Sequence, residues 1–270
     1  MSAAQKFYGG LAILVVGFYI GLTYLPQILG TCLDAECGFS VSEIVVSMAV
    51  PLVFIALPVL LEMVIYRKGL SQALSDIGVT RFSWTGIRLA IVFLIPLMAF
   101  FPILSLLTNS PVTLQTGWEW QLLRVILVNG FAEEILMRGF VFRHLRTGRS
   151  FWRAAALATA YFALYHLPLV VAEGVVVGSI AVVIAIPLGF LTAYVYERGH
   201  NTIWGPILVH VGINGLVMLL VFTSDVQPLA GTLYLLVGIA ASTGMLVYAH
   251  RKGYGRSVVT TRSETVPAAA

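Results

Sequence analysis

Long apolar runs alternate with short polar stretches along this chain, and that pattern predicts its architecture. A helix that crosses a membrane needs about 20 consecutive, mainly apolar residues. Runs of this length predict eight such helices, of which the fifth and sixth are the least cleanly separated. The predicted spans are 8–29, 43–66, 86–107, 119–143, 152–171, 175–196, 202–223 and 228–249. The sequence therefore predicts an all-α polytopic membrane protein.

Positive charge is distributed unequally between the two sides of this map. The loops on one side carry nearly all the Lys and Arg, the opposite loops carry none, and Arg124 and Arg138 lie within the fourth span. By the positive-inside rule, the basic side and both termini are expected to be cytoplasmic. The basic positions are Lys6, Arg67, Lys68, Arg81, Arg88, Arg143, Arg146, Arg149, Arg153, Arg198, Arg251, Lys252, Arg256 and Arg262; the acidic positions opposite are Asp34, Glu36, Glu119, Glu173 and Asp225.

Composition supports the same class of protein. The chain is 59% hydrophobic and 10% charged, whereas a soluble domain carries about 25% charged residues. The net charge of +4 then reflects topology, and nucleic acid is not an expected partner. We interpret residues 1–250 as one membrane domain and 251–270 as a flexible cytoplasmic tail. Cys32 and Cys37, in the first external loop, are either a small-loop disulfide or two free thiols.

A small set of polar residues remains at membrane depth once the loops are set aside. An ionised side chain in hydrocarbon costs about 3 kcal/mol, so such residues are expected to serve a function. Glu134 and Arg138 are four residues apart and can pair, whereas Glu133 is turned about 100° away. The set is Glu133, Glu134 and Arg138 in the fourth span, His166 in the fifth, and His210 with Asn214 in the seventh.

These residue types are suited to hydrolysis without a covalent nucleophile. A buried carboxylate beside imidazoles can take a proton from water, and Asn and His can donate to an oxyanion. Neither a Ser/His/Asp group nor a His-Glu-x-x-His zinc motif is visible in the sequence. A metal site stays open as an alternative, because Glu133, His166 and His210 could bind Zn²⁺ from three helices.

Three short motifs resemble those of one protease family. Residues 133–138 read Glu-Glu-Ile-Leu-Met-Arg, residues 162–166 read Phe-Ala-Leu-Tyr-His, and residues 210–214 read His-Val-Gly-Ile-Asn. They are similar, in the same order, to the Glu-Glu-x-x-x-Arg, Phe-x-x-x-His and His-x-x-x-Asn motifs of the CPBP intramembrane proteases. These are also called type II CAAX prenyl endopeptidases, or Abi proteins. The resemblance covers about residues 119–223.

The resemblance implies a role for each motif residue. Glu133 would act as general base on the attacking water, with His166 helping to hold that water. His210 and Asn214 would stabilise the oxyanion. Glu134 and Arg138 would brace the site, and Phe162 would shape the pocket. The preferred version contains no metal, although the family motifs leave Zn²⁺ open.

The resulting interpretation is an intramembrane endopeptidase with a polar cavity between helices 4, 5 and 7. Its expected partners are the lipid bilayer and a lipidated or membrane-associated substrate, and a larger membrane complex is left open. If the source is prokaryotic, the expected location is the plasma (inner) membrane. Two alternatives belong to other classes of protein. One is a non-catalytic membrane scaffold or immunity protein; the other is a transporter, which the lack of internal repeats disfavours.

Overall fold

The described residues of the structure, a computed structural model, are 5–14, 41–172 and 174–255, and they are mostly helical. Cys32, Cys37 and most of the first predicted span lie outside them. The elements in chain order are α1 (5–14), α2 (Val41–Val64), α3 (Leu70–Ile77), α4 (Trp84–Thr108), β1 (Thr113–Leu114), α5 (Trp118–Arg124), the π-helices π1 (Val125–Ala132) and π2 (Ile135–Phe142), α6 (Arg143–Arg146), α7 (Phe151–Tyr165), α8 (Pro168–Ala172), α9 (Gly174–Arg198), α10 (Trp204–Leu219), β2 (Leu220–Val221) and α11 (Gln227–Arg251).

Four stretches of helix are long and apolar enough to cross a membrane: Trp84–Thr108, Phe151–Val171, Gly174–Arg198 and Gln227–Arg251. Pro51–Val64 and Trp204–Leu219 are apolar but shorter. The chain is therefore an integral membrane protein. The count of eight spans and the cytoplasmic position of both termini stay predictions.

The helix that carries both glutamates is not a regular α-helix. Helical structure runs from α5 through π1 and π2 to α6, and Glu133 and Glu134 lie between the two π-helical segments. A π-helix replaces the i→i+4 hydrogen bonds with wider i→i+5 bonds and occurs frequently at functional sites. The sequence predicted α-helical spacing here. The wider turns change the directions in which the two carboxylates leave the helix.

Close contacts at glycines position α10 against its neighbours. A Cβ atom on Gly205 would lie 2.8 Å from the backbone carbon and oxygen of Gly86 in α4. A second close contact joins α10 to π1: a Cβ atom on Gly130 of π1 would lie 2.7 Å from Cγ2 of Val211 in α10. Small residues let helix backbones approach closely in a membrane, where packing replaces the hydrophobic drive between helices. The first contact holds α10, which carries His210, against α4. The second holds it against the helix that carries the glutamates.

One end of the molecule is held by a network of charges, which we call the basic end. Glu62, near the end of α2, is fully buried and pairs with Lys68 at 2.6 Å and with Arg143. His144 Nε2 lies 3.3 Å from the same carboxylate, and Lys68 also pairs with Asp76 of α3. The network joins α2, α3 and the helix of the glutamates. Residues 252–255, the start of the predicted tail, also pack here, and Trp152 Nε1 donates to the Tyr254 carbonyl at 3.0 Å.

At the opposite end, β1 and β2 form a two-residue antiparallel ladder. Thr113 pairs with Val221, and Leu114 pairs with Leu220. The ladder ties the segment after α4 to the end of α10. The helix that carries His210 is thus anchored at both ends.

We expect Gly205→Ala to destabilise the fold by about 1–3 kcal/mol, because the added methyl group overlaps the Gly86 backbone, which cannot rotate away. The matched control is Gly244→Ala in α11, where nothing lies within 4 Å of the new Cβ atom. That change should be neutral or slightly stabilising. Thermal unfolding in detergent compares the two variants. Equal stability would contradict the packing assigned to Gly205.

Candidate active site

Glu134 is the centre of the site. It is fully buried, and its Oε1 accepts a hydrogen bond from Arg138 Nη1 at 3.0 Å. The same oxygen lies 2.7 Å from Nδ1 of His210. An ionised carboxylate can only accept hydrogen bonds, so Nδ1 of His210 carries the proton. The i, i+4 pair predicted from the sequence is present, and His210 of α10 joins it.

Arg138 is also held from two further helices. Its Nη2 donates to the Gly189 carbonyl of α9 at 3.3 Å. Its guanidinium lies 4.8 Å from the centre of the Phe162 ring of α7, a cation–π distance. Arg138 is 2% exposed, and these contacts spread its charge over a carboxylate, a carbonyl and a ring. A role in bracing the site agrees with this geometry.

Glu133 has one satisfied and one unsatisfied carboxylate oxygen. Asn129, four residues earlier in π1, donates to Oε1 through Nδ2 at 3.0 Å. Oε2 lies 3.7 Å from His210 Nε2, and within the described part of the chain it is a buried atom without a hydrogen-bond partner. His210 thus lies between the two carboxylates. Glu134 Oε2 is also buried without a hydrogen-bond partner in the described residues, but the Glu134 carboxylate is already paired with Arg138. An orphaned buried carboxylate oxygen requires an explanation, and for Glu133, which lies beside His210, a role in chemistry is one.

His166 lies at the end of α7, within the apolar stretch Phe151–Val171. The α7 helix ends at Tyr165, and His166 is its C-terminal cap. The ring Nδ1 is 2.8 Å from the Phe162 carbonyl, to which it donates, so Nε2 is free to accept a proton or hydrogen bond. The Phe162 ring is nearly perpendicular to both imidazoles, with its centre 4.6 Å from that of His166 and 6.0 Å from that of His210. In the described residues, His166 makes no hydrogen bond to either glutamate.

Asn214 follows His210 by one helical turn and is partly exposed. In the part of the chain that the structure describes, its side-chain amide has no hydrogen-bond partner. An amide that is free to donate agrees with the oxyanion role that the motif implies. The two polar residues of α10 differ in this respect, because His210 is engaged by Glu134 and Asn214 is not.

The proposed zinc ligands do not form a metal-binding group in this structure. Glu133 and His210 approach each other, but residues 5–14, 41–172 and 174–255 contain no cluster of three His, Cys, Asp or Glu side chains placed to hold an ion. Of the three proposed ligands, His166 is the one with no hydrogen bond or ion pair to the other two among the described residues. No chemical step is therefore assigned to a metal.

Asn129, which donates to Glu133, belongs to the site although no sequence motif predicted it. It lies outside the three motifs, and Asn is a common residue in helix interfaces of membrane proteins. The available signal was its position, because Asn129 precedes Glu133 by four residues. Gly189 was also missed, since a backbone carbonyl leaves no trace in a residue pattern.

The fold and site define an integral membrane protein with carboxylates, a guanidinium and imidazoles buried among its helices. Residues 115–216 match the model of the Rce1-like family, described as type II CAAX prenyl endopeptidase Rce1-like. This match spans all three motifs and confirms the family resemblance. No curated protein and no solved structure matches the chain.

We expect Glu134→Gln to lower the free energy of unfolding by about 3–5 kcal/mol, because Arg138 is left as a buried charge without its counter-ion. Denaturation in detergent micelles, followed by circular dichroism, measures the change. The matched control is Glu119→Gln, an exposed residue near the start of the same long helix. An equal, small effect of both substitutions would show that the buried pair contributes little to stability.

Proposed function

We propose that this protein is an intramembrane endopeptidase that hydrolyses a peptide bond in a lipidated or membrane-associated protein or peptide. One observation carries the proposal: Glu133 keeps a buried carboxylate oxygen free of hydrogen bonds beside His210. Packing alone gives no reason for such an atom, since Leu at this position would avoid its desolvation cost. The match to type II CAAX prenyl endopeptidases supports the same activity.

In the proposed mechanism, Glu133 Oε2 takes a proton from a water molecule, and the hydroxide adds to the scissile carbonyl. Asn129 holds the other oxygen of the carboxylate, so that Oε2 keeps one orientation. His166 helps to hold the water through Nε2, which its bond to the Phe162 carbonyl leaves available. Glu133 then returns the proton to the departing amine, and the peptide bond breaks.

The tetrahedral intermediate carries an oxyanion, which we assign to the Asn214 amide and to His210 Nε2. Because Nδ1 already donates to Glu134, Nε2 donates to the oxyanion in the doubly protonated, imidazolium form of the ring. Glu134 fixes the His210 ring by accepting from Nδ1, and Arg138 fixes Glu134. These two residues position the imidazole and do not touch the substrate. Phe162, whose ring contacts both imidazoles, forms part of the pocket wall in this proposal.

The substrate class follows from the family and from the membrane setting. Prenylated C-terminal peptides are the first class to test, because the matching family is named for that activity. A bacteriocin-type precursor or another membrane-bound peptide is the second. The expected location is the plasma membrane if the source is prokaryotic.

Glu133→Gln should reduce cleavage by about 10²–10⁴-fold, because an amide cannot act as the general base. Peptide termini in membranes with wild-type or variant protein, compared by mass spectrometry, measure the loss and identify the substrate. The control is Glu119→Gln, which should cleave as wild type does. If Glu133→Gln, folded and inserted normally, leaves both termini and cellular phenotype intact, the scaffold or immunity alternative is favoured.

We propose that catalysis proceeds without a metal. Dialysis of the purified enzyme against EDTA or 1,10-phenanthroline should then leave the rate of peptide cleavage unchanged. Metal analysis of the same sample is the companion measurement. Loss of cleavage that returns with Zn²⁺ would contradict this part of the proposal while preserving the peptidase activity itself.

Asn129→Leu should lower kcat with little change in KM, because Glu133 loses the donor that orients it but the substrate pocket is untouched. Asn129→Gln, which keeps an amide, should recover part of the rate. Steady-state cleavage of an identified substrate measures both constants. A rise in KM alone would instead place Asn129 in substrate binding.

A further inference from the structure

Between α9 and α11, close to Trp152 of α7, lies an open groove that none of the candidate site residues lines. Its volume is about 740 Å³. The walls are apolar side chains of the two long helices, among them Val183, Ile186 and Val247, which are about half exposed. Both helices are long enough to cross the membrane, so the groove opens toward lipid. The hydrocarbon of a lipid can fill it.

The ionisable side chains that line the groove lie at one end of it. His250 and Arg251, the last residues of α11, line it there, and both are exposed. In the described chain Arg251 forms no ion pair, and no acidic side chain lines the groove. The His250 ring stands edge-on to Trp152, with ring centres 5.4 Å apart. Indole and basic side chains together are typical of the level of lipid headgroups.

The length of the groove decides which molecule fits. It extends along α11 from Ile239 to Arg251, a rise of about 18 Å at 1.5 Å per residue. One leaflet contributes half of the hydrocarbon core, about 15 Å. An acyl chain with its phosphate at Arg251 would therefore reach the lower end of the groove near the bilayer centre. A peptide strand would leave its backbone groups without partners among these apolar walls.

We propose that this groove binds one anionic phospholipid from the leaflet at the basic end, with its phosphate at Arg251 and His250 and an acyl chain along α9 and α11. Charge complementarity selects the headgroup, because the mouth offers two potential cations and no carboxylate. If the basic end is cytoplasmic, as the positive-inside rule predicts, that leaflet supplies anionic lipid. Binding at this site is independent of the proposed peptidase chemistry.

The test is native mass spectrometry of the delipidated full-length protein, titrated with phosphatidylglycerol or phosphatidylcholine. We expect one phosphatidylglycerol to bind more tightly than phosphatidylcholine. Arg251→Gln should weaken phosphatidylglycerol about fivefold, the effect of about one basic residue at a lipid surface. The matched control is Arg81→Gln, an exposed residue of the basic end outside the groove. Equal affinity for both lipids, or equal effects of both substitutions, would overturn the proposal.

A second variant tests the groove itself. Thr243→Trp places a large ring midway along it, whereas Leu236→Trp places the same ring on an exposed part of α11 outside the groove. Only the first should abolish binding of the single phosphatidylglycerol. Retained binding in Thr243→Trp would exclude this site. Competition by a farnesylated peptide would instead assign the groove to a substrate lipid and would overturn the proposal. The absence of any lipid-specific binding would overturn it as well.

Discussion

The buried Glu134 carboxylate is the constraint on which the candidate site depends. One of its oxygens accepts hydrogen bonds from Arg138 on its own helix and from His210 on α10. A lone carboxylate in a dry interior would be costly, and each donor reduces that cost only if the helices keep their places. Arg138 extends the same network to α7 and α9 through the Phe162 ring and the Gly189 carbonyl. Four helical segments therefore share one ionic centre.

Because this centre already holds the helices together, the neighbouring Glu133 can have different hydrogen-bond partners from Glu134. Its adjacent position would suggest a second brace, yet its surroundings provide one amide donor and leave Oε2 unpaired. The two glutamates therefore serve different purposes because their partners differ. Each has one buried oxygen without a hydrogen-bond partner in the described residues, but Glu134 is engaged through its other oxygen by a guanidinium and an imidazole. The free oxygen of Glu133 instead lies beside that imidazole, and its other oxygen accepts from Asn129. Adjacent residues with unequal environments are how one helix can supply both a support and a reactive group.

Several features could be predicted from the sequence because they depend on local rules. Apolar runs indicated helices, and the observed α4, α9 and α11 coincide closely with three predicted spans. The separation of Glu134 and Arg138 by four residues predicted their pair, which the structure confirms. The family resemblance also came from local motifs.

The sequence alone determined a membrane-embedded helical chain and the identity of its motif residues, since hydrophobicity and short spacing depend only on nearby residues. The tertiary structure decided which nitrogen of His210 meets which glutamate, and that Asn129 belongs to the site. It also placed His166 at the end of α7, without a hydrogen bond to either carboxylate among the described residues. These outcomes depend on distances between helices, which are set by close contacts such as Gly205 with Gly86 and Gly130 with Val211. Such contacts join residues far apart in the chain, so no local pattern encodes them.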